Sequence, residues 1–417
     1  MSSKRILWIS LGMLTLFVSG FAYYFAVYVP AQTPAETQPQ TILEKPASIE
    51  PVVQSSSETP ALTNAQEPLP TNSPTPTGTP ETVLVASQST RVTTMAISED
   101  NVTQVAPLYV LTGHTDDVTE VAFSPDSLLV ASSSSDGTVQ LWNVGDGSLQ
   151  RVLEGHTDSV NTLDFSPDGS LLASGSNDGT VRIWQVSDGT LVWTISGSLL
   201  GRVLDVEFSP DGSLIAVADH QCYVQLRRVS SGILYRILVQ PKCVIRQGGE
   251  VHAWGLAFSP DSEQIVTGEG RPCCGGSLQL RQVDDVFASP QLLEGYNLRV
   301  SDLVYSPDGS TMAAALLGSP VFWLLDAEDG NLLRTFEGHT YRVNSVTFTP
   351  DGALLASGSR DQKVRLWRVE DGDLLYTLEG HTDEVNSVAI SHDGSLIASG
   401  SDDDTLILWT VTSTANQ

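Results

Sequence analysis

One phrase of 30 residues, written nearly verbatim four times and traceable at seven places, predicts an all-β fold: a closed seven-bladed β-propeller with four-stranded blades. Three observations carry the prediction. The phrase GHTDDVTEVAFSPDSLLVASSSSDGTVQLW begins at Gly113, and GHTDSVNTLDFSPDGSLLASGSNDGTVRIW at Gly155, with near-copies from Gly338 and Gly380. An aromatic or apolar anchor before a turn recurs at Phe123, Phe165, Phe208, Phe258, Tyr305, Phe348 and Ile390, at spacings of 42, 43, 50, 47, 43 and 42 residues. Such a unit holds four short strands and their turns but no helix. Finally, segments such as VNTLDF, LLAS and VRIW are apolar on both sides. A lone sheet of that kind exposes two apolar faces and two edges, and radial closure buries them.

Taken in order, the chain opens with a short tail, residues 1–5, carrying Lys4 and Arg5. Ile6 to Val29 then run 24 residues without a charge and end at Pro30, enough to span a bilayer as a helix. A cleaved signal has a shorter apolar core, so a signal-anchor with a cytoplasmic N-terminus is expected, with cleavage after Ala31 as the alternative. Everything beyond Pro30 is then extracytoplasmic. Residues 30–90 are rich in Pro, Thr, Ser and Gln without hydrophobic periodicity. They are read as a disordered linker, either a stalk or a mere connector. The propeller is assigned to residues 91–417.

Composition narrows the partners. The chain has 417 residues, 21 basic against 49 acidic, and a net charge of -28. That balance repels phosphate at long range and excludes a nucleic-acid binder. Part of the acidity has a plain cause, because many Asp residues sit in repeated turns where Asp satisfies backbone groups.

The turns explain the phrase. In SPDG, Pro presets the second turn position and Gly fills the last. In NDGT or SDGT, Asp-Gly is expected to form a two-residue type I′ turn. The last unit, ending with Thr405 to Val411, lacks an outer strand, whereas Gln104 to Leu111 precede the first Gly-His and have no sheet of their own. The two chain ends are therefore expected to meet in one blade.

The phrase resembles WD repeats over residues 104–411, as in a membrane-anchored protein of bacterial type with near-identical copies. The resemblance implies a buried hydrogen-bonded tetrad in each complete blade. The matching positions are His114, Ser132, Asp136 and Trp142; His156, Ser174, Asp178 and Trp184; His339, Ser357, Asp361 and Trp367; and His381, Ser399, Asp403 and Trp409. None is followed by the literal Asp, since Asn143, Gln185, Arg368 and Thr410 come next. Four copies of a His-Asp-Ser set make no sense as four active sites, and a satisfied buried network explains all of them. Blades 3 to 5 have lost the set: Leu199, Gly249 and Tyr296 stand for the histidine, and Arg227, Arg281 and Leu325 for the tryptophan.

Candidate binding residues follow from position. The loop before each innermost strand opens on one face, here called the top. The residues there are Asp117, Ser159, Arg202, His252, Arg299, Arg342 and Glu384, with Trp254, Tyr296 and Tyr341 as aromatic neighbours. They are read as a partner-binding rim or as a merely solvated one. Cys222, Cys243, Cys273 and Cys274 fall in loops of blades 3 and 4 and are disulfide candidates. A metal site with His220 or His252 is the alternative, disfavoured because paired CxxC units are missing. No metal and no cofactor are expected. Glycine-rich phosphate loops, HExxH and nucleophile elbows are not found.

The expected function is a membrane-displayed, non-catalytic scaffold, itself monomeric, that binds protein or peptide partners, acidic ones at the Arg side of the rim. A small-ligand receptor at the channel mouth is the first rival. An enzyme in blades 3 to 5 is the second, and titratable groups with displaced pKa inside the channel would favour it.

Overall fold

In this computed structural model the described residues are 82–84, 95–196, 200–220, 223–239, 255–271, 275–284, 291–293 and 300–411. Residues 6–29, expected to be an anchor, and most of the expected linker lie outside them. Among the described residues no helix is long and apolar enough to cross a membrane.

Seven antiparallel sheets are present, six with four strands and one with five. In blade 1 the chain runs outward from Val118–Phe123 through Leu129–Ser134 and Val139–Asn143 to Leu149–Leu153, and blades 2 to 6 repeat that order. Each sheet is apolar on both faces because both face a neighbour. Trp142, Val130 and Phe123 of blade 1, for example, share one core with Leu396, Ala398 and Leu408 of blade 7. Packing of this kind supplies most of the fold's stability, at roughly 25 cal/mol per Å² of apolar surface removed from water.

Blade 7 closes the ring as the sequence predicts. Its first three strands, Val385–Ile390, Leu396–Ser401 and Thr405–Val411, come from the C-terminus, and Val105–Thr112 pairs with the last of them. A further short strand, Thr82–Leu84, adds to its outer edge opposite Tyr109 to Leu111. Ile97, Val102 and Val105 fill the core between blades 6 and 7 beside Trp409 and Leu366. Deleting residues 101–112 is expected to lower the melting temperature of the whole ring and to make unfolding less cooperative in calorimetry. An unchanged transition would count against closure by this strand.

The inner strands are clasped to one another by side chains. Glu120 of blade 1 accepts the Leu163 N–H of blade 2 at 2.8 Å, and Thr162 accepts that of Val206 at 3.2 Å. Asp205 accepts Leu256 at 3.0 Å, Asp302 accepts Val346 at 2.7 Å, and Ser345 accepts Val388 at 3.2 Å. Ser387 then returns to Val121 of blade 1 at 3.2 Å. The seam from blade 4 to blade 5 breaks the series because Gly255 has no side chain to offer. There the Leu303 N–H turns to Asp302 of its own strand at 2.8 Å.

One turn differs from expectation. In the Asp-Gly turns only the glycine has positive φ, 84° at Gly137 and 77° at Gly179, and its N–H bonds three residues back to Ser134 or Ser176. These are type I turns followed by a left-handed residue, not type I′. The aspartate keeps right-handed backbone because its carboxylate is committed to the loop beside it, accepting the Thr115 N–H in blade 1 at 3.1 Å. Gln362 and Asp404 hold the glycine's conformation in blades 6 and 7, at φ of 69° and 63°.

Candidate functional site: the rim and the axial channel

All four complete tetrads assemble. Each His Nδ1 lies 2.9–3.0 Å from its aspartate and each Nε2 2.7–2.8 Å from its serine. The tryptophan Nε1–H donates to the same serine oxygen at 2.8–3.0 Å. That donation leaves the serine proton for His Nε2 and places the imidazole proton on Nδ1, facing the aspartate. Burial pushes the Asp403 carboxyl up, yet the hydrogen bonds and charge of His381 and Thr405 outweigh it and hold it down at about 2. Asp136, Asp178 and Asp361 are lowered in the same way. Burial in turn depresses His156 and His339. Every polar atom of the set is thus engaged in structure. In blade 6 the buried Arg365 joins the network, donating to Asp361 at 2.6 Å beside His339.

Blades 3 and 4 share a substitute. Arg227 pairs across from Ile215, and Arg281 from Ile265, in the register that Trp142 occupies opposite Val130. Each arginine turns onto the glutamine two residues before it, Arg227 to Gln225 at 2.8 Å and Arg281 to Gln279 at 2.5 Å. In blade 5 the position is Leu325, opposite Met312. Leu199, Gly249 and Tyr296 lie outside the described residues.

The rim residues occupy equivalent places. The carbonyls of Asp117, Ser159, Arg202, Arg342 and Glu384 each accept a backbone N–H from the next turn of their own blade, at 2.9–3.0 Å. Arg202 is exposed, and Tyr341 is 59% exposed. Arg342, read as a rim contact for a partner, is engaged within the ring. Its guanidinium meets Glu384 at 2.8 Å, and Arg360 reaches the other oxygen of the same carboxylate at 2.7 Å. Glu384 is accordingly buried rather than displayed. Next to it, Asp116, Asp117 and Asp404 bring carboxylate oxygens within 4.8 Å of one another. Burial first, and then Asp402, Asp116, Asp404 and Asp383, raise Asp117 to about 6. His252, Trp254, Tyr296 and Arg299 fall outside the described residues. So do all four cysteines, Cys222, Cys243, Cys273 and Cys274.

Sequence reasoning expected a channel but did not identify the carboxylates that line it. Glu120, Asp205 and Asp302 line a cavity of about 140 Å³ with Asn161, Asn344 and Asn386. Two more carboxylates follow along the inner strands: Asp164 accepts the Phe208 N–H at 2.7 Å, and Glu207 that of Phe258 at 3.1 Å. These side chains keep some surface open to the narrow channel while protein encloses them on every side. Burial therefore dominates, raising Asp164 and Asp205 to about 7 and lifting Glu120, Glu207 and Asp302 as well. The available signal was an acidic residue at alternate positions of an otherwise apolar strand, as in VTEVAF, VNTLDF, VLDVEF and VSDLVY.

The geometry defines a closed repeat ring that presents loops on a rigid frame. Five stretches, residues 105–143, 147–185, 189–226, 330–368 and 372–410, match the family model described as WD domain, G-beta repeat. Five stretches of this seven-bladed propeller are thus WD40 repeats. Blade 4 and nearly all of blade 5 lie outside the matched stretches. WD40 propellers typically serve as protein-interaction scaffolds and are generally non-catalytic. No curated protein matches the chain at a significant level.

Proposed function

We propose that this protein is a non-catalytic scaffold, held by its N-terminal segment at a membrane with the propeller extracytoplasmic, that binds protein or peptide partners on the top rim. The observation that carries this reading is the rim itself. The ring of seven blades holds its described residues at matched positions, with Arg202 and Tyr341 exposed and an acidic sector at Asp116, Asp117 and Asp404. Rigid display of a cation, an aromatic ring and an acidic group is what a polar peptide surface reads. An acidic partner segment suits the Arg202 sector.

The channel carboxylates with raised pKa are the one observation that favours an enzyme. Two features oppose it. Each carboxylate already serves as acceptor for the next blade's backbone, and about 140 Å³ is below the roughly 300–1,000 Å³ of a small-molecule site.

The test is cross-linking capture from membranes with the full chain and with an Arg202→Glu, Tyr341→Ala variant. Capture of a partner by the first, weakened at least about tenfold in the second, is expected for a rim hot spot. Equal capture by both removes the rim from the reading. Protease shaving of intact cells checks orientation, and a fully protected propeller would overturn the extracytoplasmic placement.

A further inference from the structure

The outer half of blade 3 differs in charge from that of every other blade. Its two outer strands, Tyr223–Arg228 and Leu234–Val239, and the turn between them hold Arg227, Arg228 and Arg236 and not one acid. The corresponding stretch of each other blade is neutral or negative, in a chain of net charge -28. The cations of blade 6 meet carboxylates: Arg365 lies 2.6 Å from Asp361, and Arg368 2.8 Å from Asp371. In blade 3 Arg227 donates instead to the Gln225 amide oxygen at 2.8 Å and the Gly232 carbonyl at 3.0 Å. Arg236 donates to the carbonyls of Gln282 and Val283 at 3.1 and 3.0 Å, and Arg228 lies over the Tyr235 ring, 4.8 Å from its centre. Among the described residues no carboxylate pairs with Arg227 or Arg228. Asp284 of blade 4, which accepts the Tyr235 hydroxyl at 2.8 Å, offsets one of the three charges.

The same stretch exposes apolar surface beside an open edge. Ile233 is 65% exposed, and Leu234 and Tyr235 are exposed next to it. Across the seam Leu191 and Val192 of blade 2 are exposed too, and Trp193 lies against the turn at Gly232. Leu234–Val239 is the last strand of its sheet, and among the described residues no strand pairs with its outer edge. Such an edge displays N–H and C=O groups that another strand can complete. Blade 7 shows this completion within the chain, where Thr82–Leu84 pairs antiparallel with Tyr109 to Leu111. Charge selects the occupant at blade 3. A second copy adding its own edge would set Arg228 and Arg236 against their counterparts, and like charges opposed across a ladder destabilise it. An anionic bilayer would answer the arginines but leave the backbone groups of the edge without strand partners.

We propose that the outer edge of blade 3 is a second docking site, separate from the rim, which takes an extended acidic segment of a partner protein as a fifth strand. Backbone pairing to Leu234–Val239 supplies affinity, apolar side chains of the segment cover Ile233 and Leu234, and its carboxylates meet Arg228. The Arg228 guanidinium already extends as far as Tyr235 of the edge strand, so a carboxylate on the added strand, about 4.8 Å further out, lies within its reach.

The probe is a labelled heptapeptide alternating glutamate with valine, added to the full chain in detergent and followed by fluorescence anisotropy. It is expected to bind at least about tenfold more tightly than the lysine-for-glutamate peptide. Binding should weaken at least about tenfold with Arg228→Glu, and equally when the peptide's amides are N-methylated. Arg228 is exposed, and an unaltered melting temperature verifies that the variant keeps its ring. The proposal is overturned if the glutamate peptide does not bind, if the lysine peptide binds as well, or if N-methylation leaves binding intact. Binding abolished by Arg202→Glu, Tyr341→Ala and untouched by Arg228→Glu belongs to the rim and overturns it as well. So does a dimer that Arg228→Glu dissociates, which gives the edge to a second copy.

Discussion

Replacing Trp409 with alanine is expected to destabilise the ring by roughly 3–5 kcal/mol, the cost of emptying a fully buried aromatic site. The indole is 1% exposed and lies in the core shared by blades 6 and 7. Its loss also removes the donor to Ser399 that orders the proton chain through His381 to Asp403. Trp409→Phe retains much of the volume and loses the N–H, so a smaller cost of about 1–2 kcal/mol isolates the hydrogen bond. Denaturant unfolding of the three proteins measures both terms. A loss below about 1 kcal/mol for the alanine variant would show that neighbouring blades collapse into the space and that the tetrad is dispensable. Acid exposes the same network from its charged end. Because Asp403 titrates at about 2 in the fold, its contribution is present above the unfolded carboxylate range near 4 and is lost as pH falls through 2.

The channel carboxylates carry the opposite sign, and Asp164→Asn is expected to stabilise the protein at pH 8 by about 1–3 kcal/mol while changing little at pH 4. In the fold Asp164 titrates at about 7, so folding takes up protons between roughly 4 and 7 and stability falls as pH rises through that window. Asparagine removes the buried charge and keeps an oxygen to accept the Phe208 N–H. Wild type should accordingly melt highest at mildly acidic pH and lose stability toward pH 8, with the variant's curve flatter over that range. A variant that melts lower than wild type at pH 8 would mean that the ionised carboxylate strengthens the clasp between blades 2 and 3 by more than its burial costs.

Much of this fold was legible because the repeat forces every level to agree. The Phe123-type anchors, the Asp-Gly turns and the two-sided apolar strands all describe the same blade, and the unpaired Gln104–Leu111 stretch had one place to go. The structure shifts it by one residue to Val105–Thr112. The tetrads were legible for the same reason. The rim was half legible: position before the inner strand located Asp117, Arg202 and Arg342, but nothing in the chain order says that Arg342 and Arg360 converge on Glu384 from the neighbouring blade. The clasp was invisible because its partners lie about a blade apart and one of each pair is a backbone N–H, which carries no side-chain signature. Glu120 and Ser387 play one role with unlike residues, so likeness of sequence could not reveal it.

Ring closure also sets an order of events during synthesis. The strand Val105–Thr112 emerges early, and its partner Thr405–Val411 is the last of the strands to be made. At about 5–20 residues per second the gap between them lasts on the order of 15–60 s. For that interval an apolar strand has an open edge, a template for pairing with a neighbouring nascent chain. Thr82–Leu84 precedes it by only 20 residues, against nearly the whole ring for the other partner, and pairs with its other edge, so that edge can be covered long before the distant end arrives. Completion then depends on bringing together the two most widely separated strands of the ring, which makes the final step slow and the nearly finished ring its most vulnerable form.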